Sequence, residues 1–403
     1  MSASSLVSGS VRPQFAAVRD AFEYNFRKRG EVGASLCVYL EGERVVDLWG
    51  GVADKETGEP WKADTLGVMF SATKGLAATC LLMLHDRGQL DYDATVASYW
   101  PEFAQAGKQD ITVRQMLNHT AGVVGVERPI SLVDLEDIGV VAKALEVQKP
   151  LWEPGSRQGY HGVTYGLFVA VLFRKITGIS IGTFLRDEVA KPLEADVFLG
   201  LPASEDGRVA TTYPQGKRGL LKNILPRLFL SRGTEGKVYR SVVFDKTSFT
   251  GAAFRNPADL GARGVQNFNR TRVRRQELAW ANAMGSARGL ARVYQALVNG
   301  GLDGVQLVRP EQIDLLVERD SFAEEDSVLK RPMGFSYGFV KEDPGVFGPE
   351  LSAFGHPGAG GALGWADPVR RLSIAYIPNA MDFHIRSPRT ISICDAIYAS
   401  LGE

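Results

Sequence analysis

Residues 68–76 read VMFSATKGL, a serine and a lysine three positions apart at the mouth of a long apolar run. Positions three apart on a helix share a face, so the side chains of Ser71 and Lys74 can touch. The run behind them (Leu76, Ala77, Ala78, Cys80, Leu81, Leu82, Met83, Leu84) is apolar on nearly every side. A helix of that kind belongs in an interior. Its first turn then lies against a core, with unpaired backbone N–H groups and the positive end of the helix dipole near Ser71. A lysine desolvated there is pushed toward its neutral form, in which it can accept a proton from a hydroxyl.

The flanking segments say what surrounds this helix. GASLCVYLEGERVVDLWGG (33–51) sets Val, Leu and Tyr in period-two alternation and reads as two strands joined at Glu41-Gly42-Glu43. In the last third, GFSYGFVKE, LSAFGH, GALGWADP and RRLSIAYIPN are short, β-rich and separated by Gly and Pro turns, and ISICDAIYASL closes the chain as a helix. Between them the pattern is helical. LAATCLLMLHDRG stops at Gly88, VTYGLFVAVLFRKITG at Gly178 and ARGLARVYQALVNGG at Gly300. The expected class is α/β (α+β): an antiparallel sheet built from both chain ends and flanked by helices, with an inserted mainly helical domain. The sheet-containing part is expected over 1–70 and 300–403, and the helical part over 71–299. The crevice between them is the natural ligand site.

Composition narrows the function. The chain has 403 residues, 45% hydrophobic and 23% charged, the profile of a globular protein with ample core. Lysine plus arginine and aspartate plus glutamate both number 46, so nothing calls for nucleic acid or an anionic surface as partner. Three cysteines, Cys37, Cys80 and Cys394, sit among apolar neighbours, an odd number that favours reduced, buried thiols. The start, MSASSLVSGSVRPQF, lacks the basic-then-apolar pattern of a signal peptide, and no apolar run reaches the ~18 residues of a membrane span. A cytoplasmic address is expected.

Two other serines compete with Ser71. Ser327 and Lys330 repeat the S-x-x-K spacing in AEEDSVLKRPMG, but Pro332 forbids a helix there and the stretch reads as solvated loop. GFSYG (334–338) matches the G-x-S-x-G nucleophile elbow, which needs a helix leaving the serine; Lys341-Glu342-Asp343-Pro344-Gly345 makes a turn instead. Ser336 reads as a residue of a strand edge.

With Ser71-Ala72-Thr73-Lys74 in place, further motifs follow in order. LNHTAGV (117–123), LWEPGSRQGYHGVTYG (151–166), MGSARGLARVYQALVNGG (284–301) and FGHPGAGGALGWADP (354–368) stand at fitting positions. Together they resemble the serine β-lactamase and penicillin-binding-protein superfamily over roughly residues 20 to 400, and are most similar to its esterase branch, the family VIII carboxylesterases. The resemblance implies a β-lactamase/transpeptidase-like fold and a serine hydrolase working through an acyl-enzyme, acting on short- to medium-chain esters. Ser71 is then the nucleophile. Lys74 holds its proton or keeps Tyr160 ionised, and Tyr160 relays the proton to the departing alkoxide. The backbone N–H groups of Ser71 and Ala359 form the oxyanion hole, with His356, Gly358 and His161 around the substrate; His356 shapes the leaving-group side or fills space. An amidase, peptidase, β-lactamase or acyltransferase on the same scaffold is the alternative, and an inactive ligand-binding homologue the remote one.

Two departures from the family pattern bear on substrate. Gly162 stands in the tyrosine motif where β-lactam-binding members carry asparagine, and His356 stands where they carry the lysine of K-T-G. Both suit simple esters. No pair among His85, His119, His161 and His384 has metal-ligand spacing, so no metal is expected, and no glycine-rich nucleotide fingerprint follows a strand, so no dinucleotide cofactor is expected. KRGLLKNILPRLFLSRGTEGK (217–237) mixes seven Leu, Ile and Phe residues with six basic ones and reads as a surface-lying insertion, the alternatives being a cover for the acyl pocket or a contact for a lipid-like substrate. Arg270, Arg272, Arg274 and Arg275 read as exposed charge.

Overall fold

Alternating side chains need two covered faces, and the chain supplies them. The computed structural model describes residues 6–214, 221, 225–231, 233–245, 247–261 and 264–402. Strands β1 (Val7–Val11), β2 (Gly33–Leu40) and β3 (Glu43–Gly51) come from the start of the chain, and β4 (Ser321–Ala323), β5 (Met333–Ser336), β6 (Phe339–Lys341), β7 (Phe354–Pro357), β8 (Leu363–Asp367) and β9 (Leu372–Pro378) from its end. They form one antiparallel sheet in the order β1-β3-β2-β9-β8-β7-β6-β5-β4. The ladder from Leu40 opposite Leu372 to Ala34 opposite Pro378 joins the two ends.

Along β2, Ala34, Leu36 and Val38 point into one core while Cys37 and Tyr39 point into another. Ile374 and Tyr376 in β9 divide from Ala375 and Ile377 in the same way. On the first face lie helices α1 (Ala16–Lys28) and α6 (Pro388–Ser400), with Phe22 and Ile393 fully buried. The second face carries α5 (Ala287–Val298) over β2, β8 and β9 and α2 (Thr73–Asp86) against β6 and β7, with α3 (Thr164–Thr177) packed on α2. Every residue of α2 from Thr73 to Leu84 is buried.

The pattern did not announce β1, whose VSGSV is too short and polar to read as a strand, nor α1. The loop 324–331 is a correction. Asp326, Val328 and Leu329 are buried although the AEED run reads as solvated, because the loop folds inward onto the segment bearing Tyr160. Arg270 and Arg272 are exposed, whereas Arg274 and Arg275 are half-buried and paired with Asp206. Residues 217–220, 222–224 and 232 of the basic-apolar stretch lie outside the described residues; within it Leu225–Leu230 is helical, with Leu228 buried and Leu230 exposed. Cys37, Cys80 and Cys394 are free and buried. Among the described residues no single helix is long and apolar enough to cross a membrane.

Candidate active site

Ser71 does not lie in α2 itself but in the 3-10 turn Phe70–Ala72 that feeds it. Phe70 sits at φ 46°, a left-handed conformation costly for a side chain of its size. Its ring is held edge-on to Phe268 at 5.2 Å, and Met69 N donates to Ala283 O at 2.9 Å. Held this way, Ser71 is partly exposed while Ala72 and Lys74 behind it are sealed.

Lys74 Nζ is 3.3 Å from Ser71 Oγ and 3.0 Å from the carbonyl oxygen of Trp280. Burial, with no carboxylate to offset it, holds the lysine well below its ordinary pKa. Lys108 and Lys341 are also buried, and burial lowers them too, so depression alone does not single out Lys74. Acceptor geometry does. Lys108 donates to three carbonyls (Gln105, Glu146, Gln148) and Lys341 to three (Leu316, Val317, Ser352), the full complement of an ammonium. Lys74 has one carbonyl and one hydroxyl, which suits an amine whose lone pair faces Ser71.

Tyr160 is buried, with its hydroxyl facing the Ser71 side chain. Burial pushes its pKa up, against the opposing influence of the Ser71 hydroxyl. Its ring lies 5.0 Å below Lys74 Nζ and runs parallel to Phe335 at 6.3 Å. The structure thus gathers Ser71, Lys74 and Tyr160 around one hydroxyl.

The glycine-rich segment comes from the other side. A Cβ on Gly358 would stand 2.3 Å from Met69 O and 3.3 Å from Ala72 N, so only glycine lets the end of β7 lie against the serine turn. Ala359 follows at the exposed rim, and Gly360 at φ 80° turns the chain away. His356 is buried in β7, with Nδ1 2.8 Å from Pro357 O. Burial holds it neutral, so it is no fixed cation. His161 turns inward: it is fully buried, with Nδ1 2.7 Å from Gly159 O and the ring beside His119 and Trp152. Burial lowers its pKa to about 4.

Other residues at the site have weak sequence signals or none. Trp280 contributes only a backbone oxygen, which no side-chain pattern reports. His119, considered above only as a metal ligand, packs its ring 5.0 Å from that of Tyr160. Phe254, on α4 (Phe249–Arg255), fills the space beside Gly162: a Cβ there would meet its Cε1 at 2.5 Å. Ser336 ends β5, is buried and donates to Leu315 O at 3.0 Å; a hairpin at Tyr337-Gly338, not a helix, follows it. His384 pairs with Asp382, and His85 bonds Leu90 O.

The family described as Beta-lactamase matches residues 18–391. The esterase/beta-lactamase LipL of Mycobacterium tuberculosis is 36% identical over 381 residues, covering 93% of this chain and 83% of that protein. A solved structure of a family VIII carboxylesterase superposes with TM-score 0.84 at 37% identity, over 98% of this chain and 99% of that one. A penicillin-binding-protein homologue from Caulobacter crescentus gives 0.83 at 36%, with the same coverage.

Proposed function

The chain belongs to the beta-lactamase family, with its β-lactamase/transpeptidase-like fold, and is a serine hydrolase; within that frame we propose a carboxylesterase that cleaves short- to medium-chain esters through a Ser71 acyl-enzyme. The observation that carries this reading is the incomplete shell of Lys74: one carbonyl, one hydroxyl and room for a lone pair.

Ser71 Oγ attacks the ester carbonyl while its proton passes to neutral Lys74. The tetrahedral oxyanion is held by the N–H groups of Ser71 and Ala359, donors of a kind that contribute about 2.7–4 kcal/mol each. As the intermediate collapses, Tyr160 gives its phenolic proton to the departing alkoxide and is reprotonated from Lys74. Water then repeats the sequence on the acyl-enzyme and frees the acid. Burial favours uncharged forms of both Lys74 and Tyr160, which supports the amine as base and the phenol as donor over a resting ammonium–phenolate pair.

Esters are favoured over β-lactams by Gly162 and Phe254. The position that would carry a side-chain amide has none, and an aromatic ring fills its space. A buried substrate amide left without partners there costs about 1–3 kcal/mol. The substrate is a small ester. A cytoplasmic address is part of the same proposal, supported by the three free, buried thiols.

The test is a series of p-nitrophenyl esters run beside nitrocefin, with a fluorophosphonate probe mapped to its peptide. Ester turnover above nitrocefin turnover, the label on Ser71 and loss of both in Ser71→Ala are expected. A label on any other serine overturns the assignment, and faster nitrocefin turnover replaces the ester reading with a lactamase.

A further inference from the structure

Tyr160 sits in a stretch with no helix or strand of its own, yet its phenol must be held to a fraction of an ångström to serve Ser71. Three successive backbone N–H groups show how it is held. Gly159 N donates to His119 O at 3.0 Å, Tyr160 N to Asp326 Oδ1 at 3.1 Å, and His161 N to His119 Nδ1 at 3.0 Å. One histidine grips the chain on both sides of the tyrosine, and one carboxylate grips it at the tyrosine.

Both gripping residues are placed at a cost. His119 is fully buried at φ 62°, a conformation more accessible to His, Asn and Asp than to most residues. Because its Nδ1 accepts a backbone N–H, its proton is on Nε2, and the neutral ring packs against both Tyr160 at 5.0 Å and Phe335 at 4.3 Å. Among the described residues Asp326 is a buried carboxylate served by N–H groups rather than by a lysine or arginine: Tyr160 N, Val328 N at 2.9 Å and Leu329 N at 2.8 Å on Oδ1, and the Gln158 amide on Oδ2. A loop that needed only to fold would satisfy those N–H groups with neutral carbonyls and avoid burying a charge.

We infer that His119 and Asp326 are positioning residues that together fix the Tyr160 phenol against Ser71, an assignment that rests on reading Tyr160 as the proton relay. Neither touches the reacting atoms. The ring of His119 sets the floor under the tyrosine, and the acceptors on His119 and Asp326 set the height of its backbone.

The experiment measures kcat and KM on one p-nitrophenyl ester, per active site titrated with fluorophosphonate, so that misfolded protein is not counted. Asp326→Ala and His119→Gln are expected to lower kcat about 10²-fold with KM within about threefold, since a misplacement near 1 Å costs that much. Glutamine's amide reaches the Nε2 position and leaves His161 N without its acceptor. Asparagine puts an oxygen where Nδ1 stood and tolerates positive φ, so His119→Asn recovers most of kcat. Should Asp326→Ala fail to fold, the Asn and Gln variants of His119 decide. Equal kcat in those two, or an unchanged kcat per titrated site in Asp326→Ala, overturns the inference. Tyr160→Phe run alongside separates the levels: full activity there removes the relay reading and this inference with it. A dead Tyr160→Phe beside active His119 and Asp326 variants removes the inference alone.

Discussion

Lys74 Nζ and Ser71 Oγ lie 3.3 Å apart, within reach for proton transfer and looser than a settled hydrogen bond. That slack distinguishes a working lysine from the two structural ones, which are closed in by carbonyls. The contact is made across a change of helix type, with serine in a 3-10 turn and lysine in the first turn of α2. The polarity of the site is therefore set by backbone shape as much as by side-chain choice.

Replacing the amine separates catalysis from stability. In the unfolded chain Lys74 titrates near 10.5 and in the folded chain well below it. Between those values the unfolded state holds the extra proton, so this group's contribution to stability falls as pH drops through that window. Lys74→Met removes the liability. We expect a Tm above wild type at pH 7, a gain that narrows as pH approaches 10.5, and kcat reduced at least ~10³-fold. Thermal melts from pH 7 to 10 beside ester kinetics read both, and a lower Tm at pH 7 counts against a buried neutral amine.

The same group governs the acid side of the activity profile. A base must be unprotonated, so kcat/KM of the wild type rises with pH through the folded pKa of Lys74 and is level above it. Lys74→Arg keeps a cation at every working pH and is expected to be inactive throughout. A wild-type profile still climbing toward pH 10 would mean that the amine titrates at its ordinary value.

Gly358 tests the oxyanion side. Its absent Cβ would stand 2.3 Å from Met69 O, so Gly358→Ala must push the end of β7, and Ala359 N–H with it, off the serine turn. We expect a folded protein with kcat down 10²–10³-fold, the cost of one oxyanion donor. Circular dichroism and active-site titration establish the fold and the count of sites; kcat within a factor of about three of wild type excludes Ala359 as a donor.

The parts legible in the sequence were those whose chemistry resides in side chains at fixed spacing. Ser71 and Lys74 share a face, Tyr160 follows a Pro-Gly turn, and period-two strands at both ends imply one sheet with two covered faces. What the sequence hid was conformational. Trp280 acts through a carbonyl, and Phe70 through a backbone angle that its identity disfavours. Asp326 was hidden by its own neighbours: three acidic residues in AEED read as solvent-facing, and only the folded loop shows that the last of them is capped by N–H groups from two segments. Gly162 was legible as a missing amide, but not as the seat of an aromatic ring from a helix some ninety residues away.

That seat gives the sharpest pairwise prediction. A side chain at 162 collides with Phe254, and the helix carrying that ring is itself packed closely on Gly125, where a Cβ would stand 2.7 Å from Ala252 O. Gly162→Asn alone should therefore destabilise the protein by roughly 1–3 kcal/mol, as overpacking does, and depress ester turnover. Phe254→Ala alone should open the wall and shift the ester preference toward bulkier groups. The double variant should recover stability beyond the sum of the singles, with a coupling of about 0.5–3 kcal/mol. It should also gain nitrocefin turnover over wild type, since an amide then stands where the ring was. Denaturant melts of the four proteins yield the coupling and nitrocefin rates the change in chemistry. Simple additivity would place Phe254 away from Gly162 in solution, and the ester preference would then need another cause.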